Sequence, residues 1–235
     1  SFFKGKIDIH GGGVDLIFPH HENEIAQSFC AYGHMIANYW LHNGRIDLSG
    51  EKMSKSLGNV VWVDDLLEKT SYQAYRVLML NVPYRQPLNY KDELLTQAEA
   101  DYEKIRRAYN TLYRRVEEAG EGAFAEDVET EKLKEDFIAA MADDFNTANA
   151  LTAILQASKL ANKYTRDAGI SPERMRTLLK VFGEFLWVFG IETGVQPLTE
   201  EEKDLIARYR QARKAKDFGL SDALREEILK RGLEL

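Results

Sequence analysis

Residues 8–24 read DIHGGGVDLIFPHHENE and combine a strand signal, three glycines and a helix start. Residues 7–10 have the apolar pattern of the end of a buried strand. The glycines at 11–13 allow the backbone to turn where a ligand approaches it closely. Pro19 suits the first turn of a helix, where its missing N–H leaves no hydrogen bond unmade. The stretch therefore predicts a strand, a glycine turn and a helix that opens on two histidines.

The predicted helix carries two candidate metal ligands. His20 and Glu24 stand four residues apart, so their side chains share one face, while His21 points away from that face. A neutral imidazole and a carboxylate at this spacing are two ligands that zinc accepts. A solvated ion pair has the same spacing, so the residues alone leave both interpretations open. Two ligands do not close a zinc site, and any others are expected outside this sequence.

A lysine-rich segment follows at residues 50–59, which read GEKMSKSLGN. Glycines flank two lysines and two serines, a composition typical of a loop with positive charge at its tip. Lys52 and Lys55 would neutralise charge on a departing pyrophosphate, while serine hydroxyls and backbone amides donate hydrogen bonds to it. A solvated surface loop has the same composition, so this pattern also leaves two interpretations open.

Composition narrows the class of protein. The 235 residues are 44% hydrophobic and 29% charged, the balance of a globular chain. A net charge of −7 argues against a protein that coats nucleic acid, although local basic stripes can still meet RNA. Cys30 is the single cysteine, which excludes an intramolecular disulfide and favours the reducing cytoplasm. The sequence contains no apolar run near the ~20 residues of a membrane span, so we expect no membrane partner.

The rest of the chain has mainly helical patterns. Residues 38–49 alternate and contain Asn43-Gly44, a pair typical of a β-hairpin turn. Residues 199–202, TEEE, resemble a capping box. An apolar stripe on the helix predicted at 171–188 indicates core rather than a cofactor site: Leu178, Leu179, Phe182, Phe185, Leu186 and Phe189. Helical patterns lie near residues 63–67, 72–80, 91–120, 130–142, 146–168, 171–188, 200–216 and 221–231.

Two long motifs in order resemble the cysteinyl-tRNA synthetases, a family of class I aminoacyl-tRNA synthetases. Residues 52–56 reproduce the KMSKS signature letter for letter, and IHGGGVDLIFPHHENEIAQS precedes it at 9–28. Residues 137–147, FIAAMADDFNT, resemble the family's DALR-type helical domain, and 216–225 resemble the opening of its anticodon-recognition part. The family's HIGH motif and two cysteine zinc ligands are not in this sequence. We therefore expect an internal fragment that is inactive on its own.

The resemblance implies a mainly α fold with a small α/β part, in which the C-terminal portion of a class I Rossmann-type catalytic domain precedes a DALR-type helical bundle. The expected division has a catalytic part with the KMSKS loop at 1–62 and a helical stem-contact region at 63–120. The DALR-type domain follows at 128–192, and the start of a truncated anticodon-binding domain at 198–235.

The resemblance also implies a reaction: ATP-dependent activation of L-cysteine to cysteinyl-adenylate, then transfer to tRNA(Cys). His20 and Glu24 match two zinc ligands of the family, and zinc accepts a soft thiolate far better than a serine hydroxyl. His10 and Asp15 match the substrate pocket, where Asp15 would pair with the ammonium group of the amino acid. The partners expected are tRNA(Cys), L-cysteine and ATP with Mg2+, with Zn2+ as cofactor and a monomeric protein.

The ATP site implied by the resemblance lies mostly in the lysine-rich segment. Lys55 matches the ATP-contacting lysine and Lys52 assists it. Three further residues of the signature complete this ATP-binding set together with two glycines of the first motif: Met53, Ser54, Ser56, Gly12 and Gly13. Phosphates of tRNA would meet basic clusters at Arg107, Arg114 and Arg115 and at residues 208–216.

Two other functions are compatible with parts of this pattern. A ligase that joins cysteine to an amino sugar, as in mycothiol synthesis, shares the zinc and KMSKS apparatus. Residues 190–235 argue against it, because a small sugar acceptor needs no anticodon module. A non-catalytic tRNA-binding module is the alternative from a different class.

Overall fold

The computed structural model describes residues 5–48, the backbone of 51–52, residues 60–231 and residue 233. The chain divides into two compact units. The first comprises Ser1–Tyr102 and Glu135–Ala153, and the second Glu103–Lys134 and Ile154–Leu235. The described residues are mostly helical with two small sheets, which confirms the expected mainly α fold with a small α/β part. No helix among them is long and apolar enough to cross a membrane.

Two short sheets lie in the first unit. Strands β1 (Ile7–Gly13) and β2 (Ala37–Asn43) are parallel, with His10 opposite Trp40. Strand β3 (Ile46–Leu48) pairs antiparallel with β4 (Glu51–Lys52) and parallel with β5 (Leu88–Tyr90). The carboxyl ends of β1 and β2 meet at one edge, the edge at which open α/β sheets bind ligands.

The hairpin predicted around Asn43-Gly44 is wrong, because these residues join strands of different sheets. Neither residue has the positive φ that a type I′ turn requires. The Gly44 N–H donates to the Tyr84 carbonyl oxygen at 2.6 Å. A Cβ added to Gly44 would overlap the backbone of Gln86. The glycine therefore allows the connector at residues 84–88 to approach closely. In the sequence alone, a glycine needed for this long-range contact looks the same as a glycine needed for a turn.

The glycine turn predicted at residues 11–13 is also wrong. All three glycines belong to β1, and none has a positive φ. Gly12 and Gly13 make room for side chains instead: a Cβ on Gly12 would come within 2.9 Å of the His21 ring, and one on Gly13 would overlap the Asp15 carboxylate. The strand is not buried as predicted, since Ile9 is 60% exposed.

The first long helix begins later than predicted. Residues 14–16 form a 3-10 turn and Ile17–His21 a wide π-type turn, and helix α1 runs from Glu22 to Tyr32. Phe18 is extended, with φ −131° and ψ 132°, as expected for a residue that precedes proline. Pro19 therefore lies ahead of the helix rather than in its first turn.

The remaining helices follow the sequence pattern closely. Helices α2 (Val63–Leu67) and α3 (Tyr72–Leu80) belong to the first unit, and α4 (Asp92–Glu118), α5 (Val128–Ala142) and α6 (Thr147–Arg166) each contribute to both units. Helices α7 (Pro172–Phe189), α8 (Glu200–Lys214) and α9 (Phe218–Lys230) complete the second unit.

Apolar stripes account for the core of the second unit. The stripe predicted on α7 is confirmed, since all its members except the partly buried Leu179 are buried. The capping box at α8 is confirmed as well: Thr199 Oγ accepts from the Glu202 N–H, and the Glu202 carboxylate accepts from the Thr199 N–H. Helices α8 and α9 share their own small core, formed by Leu198, Leu205, Ile206, Tyr209, Ala212, Leu224 and Ile228.

Candidate metal and active site

The parallel pair β1–β2 brings distant polar side chains together in the first unit. Strand β1 supplies His10, and β2 supplies Trp40 and His42, two residues apart on one face. The turn before α1 supplies His20 and His21, and the first turn of α1 supplies Glu24. These six residues are called the histidine cluster below.

Glu24 lies between two imidazoles, with one carboxylate oxygen towards each. Its Oε2 lies 2.8 Å from His10 Nε2, a hydrogen bond. Its Oε1 lies 3.8 Å from His20 Nε2, beyond hydrogen-bond distance. His20 and Glu24 therefore share one face, as the spacing predicted. The His20 side chain is 60% exposed, against 26% for Glu24, so this gap opens towards solvent.

The prediction that His21 points away from this face is wrong. His21 is 3% exposed, and its ring centroid lies 5.1 Å from that of His10. The wide turn at Ile17–His21 replaces the regular α-helix on which the prediction relied. His21 Nδ1 lies 2.8 Å from His42 Nε2, and the absent side chain of Gly12 leaves room for the ring.

The electrostatics of the cluster favour a neutral His21. Burial lowers its pKa below the ordinary value of 6.5, and the neighbouring His10 and His42 lower it further. A neutral imidazole is the form that binds metal ions or shares a proton with another ring. The cluster therefore presents nitrogen and oxygen donors rather than positive charge from His21.

The donor set fits zinc. Ligand atoms of His10, His21 and Glu24 lie within 4.8 Å of one another, and imidazole and carboxylate are zinc ligands. His10 and His21 already have protein partners at 2.8 Å, whereas the His20–Glu24 gap is 3.8 Å. Two ligands of a tetrahedral zinc are roughly 3.3 Å apart. The His20–Glu24 gap thus suits an ion after a small adjustment, with His10 fixing the carboxylate as outer partners of ligands do.

Trp40 and His42 are members of the cluster that sequence reasoning missed. The Trp40 ring lies edge-on to His10, with centroids 4.7 Å apart, and its Nε1 is buried with no hydrogen-bond partner. The alternating pattern of residues 38–43 could have revealed them, since it places Trp40 and His42 on one face of a strand. The hairpin interpretation assigned that strand to the wrong partner.

Family comparisons cover both units. Residues 1–100 match the family described as tRNA synthetases class I (C) catalytic domain, and residues 136–193 match the DALR domain. A cysteine–tRNA ligase of Halalkalibacterium halodurans is 41% identical over 100% of this chain and 51% of its own length. One from Brevibacillus brevis is 42% identical over 100% of this chain and 52% of its own length. The chain is thus similar over its whole length to cysteine–tRNA ligases, and it contains matches to the class I tRNA synthetase catalytic domain and the DALR domain. It spans about half the length of the curated relatives it matches.

A solved structure agrees with the fold. The chain superposes on a LeuRS of Agrobacterium radiobacter K84, solved in a ternary complex with tRNA and LeuAMS, with a TM-score of 0.62. The match covers 80% of this chain and 27% of that one, at 19% identity. At that identity the likeness concerns the class I synthetase fold alone.

Other residues predicted for the cysteine–tRNA ligase site lie near the cluster or outside the described residues. Asp15 is exposed in the 3-10 turn that follows Gly12 and Gly13 at the end of β1. The backbone of Lys52 ends β4, and its side chain lies outside the described part of the chain. Met53, Ser54, Lys55 and Ser56 also lie outside the described residues, so their roles stay predictions.

Proposed function

We propose that the full-length protein is a cysteine–tRNA ligase, which activates L-cysteine with ATP and transfers it to tRNA(Cys). The observation that carries this proposal is the open gap between His20 Nε2 and Glu24 Oε1, 3.8 Å wide, inside a cluster of imidazoles. The similarity to cysteine–tRNA ligases supports the reaction, and the gap would provide a reason for selecting cysteine.

His20 and Glu24 would hold a zinc ion, and His10 would keep Glu24 in place through its 2.8 Å hydrogen bond. Bound zinc supplies a ligand position that a cysteine thiolate fills and a serine hydroxyl fills poorly. Zinc would discriminate between these amino acids, which have almost the same shape, more strongly than an apolar pocket can. The remaining ligands would come from residues beyond this pair.

Chain residues around the gap would orient the amino acid. Asp15 would pair with its ammonium group, since it lies exposed just beyond the carboxyl end of β1. Gly12 and Gly13, at the same end of β1, would lie near the ribose of ATP. The partly buried His21–His42 pair would form one wall of the site, because the two rings lie 2.8 Å apart at His21 Nδ1 and His42 Nε2.

The signature segment would act on ATP. Lys55, assisted by Lys52, would stabilise the charge that develops on pyrophosphate as the adenylate forms, while Met53, Ser54 and Ser56 shape the binding loop. Mg2+ would accompany ATP as part of the substrate. Changing Lys55 to Ala should then slow adenylate formation while cysteine binding stays close to that of the unaltered protein.

The proposal is tested by ATP–pyrophosphate exchange with the full-length protein, using L-cysteine and L-serine in parallel. We expect exchange with cysteine, exchange with serine lower by at least ~100-fold, and loss of the cysteine reaction after zinc is removed by a chelator. Equal rates with the two amino acids would refute the zinc-based selection.

A second assay separates the alternative functions. Cysteine transfer to tRNA and not to an amino sugar is expected from a tRNA ligase, and the reverse result would identify the mycothiol-type ligase. Binding of tRNA with no exchange at all would identify a non-catalytic RNA-binding module.

A further inference from the structure

Three side chains at the surface of the first unit join two parts of the chain that are distant in sequence. Asp144 lies in the turn between α5 and α6, and Tyr84 and Arg85 lie in the connector that precedes β5. The Tyr84 hydroxyl donates to Asp144 Oδ1 at 2.9 Å, and Arg85 Nη2 donates to the same oxygen at 3.1 Å. Arg85 Nε donates to Asp144 Oδ2, so the guanidinium binds both carboxylate oxygens. These three residues are called the Asp144 clamp below.

The turn that carries Asp144 has an unfavourable backbone conformation. Asp144 and Phe145 have φ angles of 50° and 54°, in the left-handed region that residues with a Cβ rarely adopt. The Phe145 N–H donates to the Met141 carbonyl oxygen at 3.2 Å, which holds the turn in place. Phe145 is 50% exposed, so burial of its ring does not account for the conformation. What the turn achieves is the placement of the Asp144 carboxylate beside the connector, and strained turns are typical of functional positions.

The connector also contacts the chain that follows β2. The Gly44 N–H donates to the Tyr84 carbonyl oxygen at 2.6 Å, and the Leu88 N–H donates to the Arg45 carbonyl oxygen at 2.9 Å. The backbone of residues 44–45 therefore holds the connector at two points, and the Asp144 clamp holds it at a third.

The connector leads into the sheet that ends at the signature segment. Strand β5 pairs with β3 over three residues, and β3 pairs with β4 over two, with Asp47 opposite Lys52. In the described part of the chain, β4 has β3 as its only neighbouring strand. Such short pairings fix the position of β4 only if β5 is itself fixed. Lys52, at the end of β4, is the first residue of the KMSKS signature.

The exposure of the clamp argues against a role in stability alone. The Arg85 side chain is 54% exposed and the Asp144 side chain 51%. Ion pairs with this exposure contribute little to folding, because solvent screens them. The hydrogen bond from Arg85 lowers the pKa of Asp144 below its ordinary value of 3.8, so the carboxylate is charged at neutral pH. A guanidinium that binds both carboxylate oxygens fixes direction as well as distance, which suits a positioning role.

We propose that the Asp144 clamp positions the signature segment for adenylate formation. Asp144 and Arg85 fix the connector, and the connector fixes Lys52 through β5, β3 and β4. Both are positioning residues, since they act through these strands. This assignment rests on the proposed function for the action of the signature segment on ATP.

The proposal separates the two substrates of the reaction. The histidine cluster is held by contacts of its own, at 2.8 Å between His10 and Glu24 and at 2.8 Å between His21 and His42. Loss of the clamp should therefore affect the ATP step while zinc content and cysteine binding stay unchanged.

The test measures cysteine-dependent ATP–pyrophosphate exchange by the full-length protein. Asp144→Gly removes the carboxylate, but glycine adopts a positive φ without steric cost, so the turn itself is preserved. We expect kcat to fall about tenfold, because misplacement far from the reacting atoms slows a reaction. The KM for cysteine should stay within about twofold, as for a residue that acts in the transition state. Arg85→Gln should have the same effect, and the double variant should be no worse than either single variant.

Asp143→Asn is the matched control. Asp143 is the exposed neighbour of Asp144 in the same turn, and its carboxylate accepts a hydrogen bond from the Asn146 side chain at 3.3 Å. This variant alters the turn and leaves the clamp intact, so its kcat should be within about twofold of that of the unaltered protein.

A second measurement follows the strands directly. Amide hydrogen–deuterium exchange at residues 44–48 and 88–90 should be faster in Asp144→Gly than in the unaltered protein, and exchange in α7 should be the same in both. The inference is overturned if kcat is retained in Asp144→Gly and Arg85→Gln, or if kcat falls without faster amide exchange in these strands. It is also overturned if zinc content falls together with kcat, or if Asp143→Asn lowers kcat equally.

Failure of this inference is distinguishable from failure of the proposed function. Absence of ATP–pyrophosphate exchange in the unaltered protein would remove the ligase itself. Normal activity in the unaltered protein and in both clamp variants would remove the clamp and leave the ligase in place.

Discussion

In the second unit, the buried Asp127 carboxylate has hydrogen-bond partners on both of its oxygens. In the first unit, by contrast, one oxygen of the Glu24 carboxylate lies 3.8 Å from the His20 imidazole, beyond hydrogen-bond distance. The Asp127 side chain is fully buried and accepts hydrogen bonds from Thr130 Oγ, Tyr164 OH and Arg174. The histidine cluster, by contrast, contains the orphaned Trp40 Nε1 and the exposed His20.

The difference distinguishes a structural role for Asp127 from the functional role proposed for Glu24. Burial alone would raise the pKa of Asp127, but hydrogen bonds from Thr130, Tyr164 and Arg174 outweigh it and hold the pKa below its ordinary value. The charged form is therefore the form that the fold stabilises. Near Glu24, by contrast, the buried Trp40 Nε1 has no hydrogen-bond partner, which supports the proposed ligand site.

The largest effect is expected from Glu24→Gln, which removes a proposed zinc ligand. The amide binds zinc poorly, so zinc content should fall and kcat/KM for cysteine should drop by more than about 100-fold, since loss of an outer partner alone costs 10–100-fold. Metal analysis and ATP–pyrophosphate exchange measure the two results. Glu22→Gln, an exposed neighbour on α1, is the control and should behave as the unaltered protein. Full zinc content in Glu24→Gln would contradict the site.

Asp127→Asn should destabilise the fold without changing the chemistry. Removing one partner of a buried ion pair leaves the other poorly compensated, so we expect a loss of about 3 kcal/mol in the free energy of unfolding. Urea denaturation followed by circular dichroism measures it. Exchange activity per folded molecule should be retained. A loss of activity in protein that is still folded would show that the two clusters do not differ in role.

The same carboxylate predicts a dependence on pH. Because the pKa of Asp127 is lower in the folded chain, its contribution is complete above the ordinary value of 3.8 and is lost as pH falls through that value towards the lowered one. Unfolding free energies measured from neutral to acid pH should therefore decline less steeply in Asp127→Asn than in the unaltered protein. Parallel acid limbs would contradict the lowered pKa.

His10→Phe should have an intermediate effect. The ring remains, but the hydrogen bond to Glu24 Oε2 is lost, so zinc affinity should fall by about 10–100-fold rather than disappear. Competition with a chelator measures the affinity. A complete loss of zinc, equal to that of Glu24→Gln, would make His10 a ligand rather than a positioning residue.

The smallest effect belongs to the exposed edge of the Asp127 network. Lys163 Nζ lies 2.8 Å from Glu129, and both side chains are about half exposed, at 55% and 46%. Lys163→Met should change the unfolding free energy by less than about 0.5 kcal/mol, because solvent screens the pair. If Lys163→Met lowered the unfolding free energy as much as Asp127→Asn does, burial would not determine how much these contacts contribute to stability.

Local sequence patterns predicted the helices, whereas the pairing of the strands depends on residues distant in sequence. The Thr199–Glu202 capping box and the α7 stripe depend on neighbours within a few residues, so sequence reasoning found them. Trp40 and His42 were missed because Asn43-Gly44 was interpreted as a hairpin. That interpretation could not include Gln86, whose backbone requires the glycine and lies some forty residues away.

The helical period also failed at one informative place. His20 and Glu24 were correctly placed on one face, yet His21 turned inwards because Ile17–His21 forms a wide turn. A regular period cannot reveal such a turn, nor the space that Gly12 leaves for the His21 ring. The two residues proposed to bind metal, His20 and Glu24, were therefore placed on one face from the sequence, while the residues that surround them required the fold.

The most direct test replaces zinc with Co2+ in the full-length protein and adds L-cysteine. If the His20–Glu24 gap holds the metal that recognises the substrate, cysteine should produce a thiolate-to-cobalt absorption band that serine does not produce. The band should vanish in His20→Ala and persist, with weaker metal binding, in His10→Phe. A band that survives in His20→Ala, or that cysteine fails to produce in the unaltered protein, would contradict the assignment.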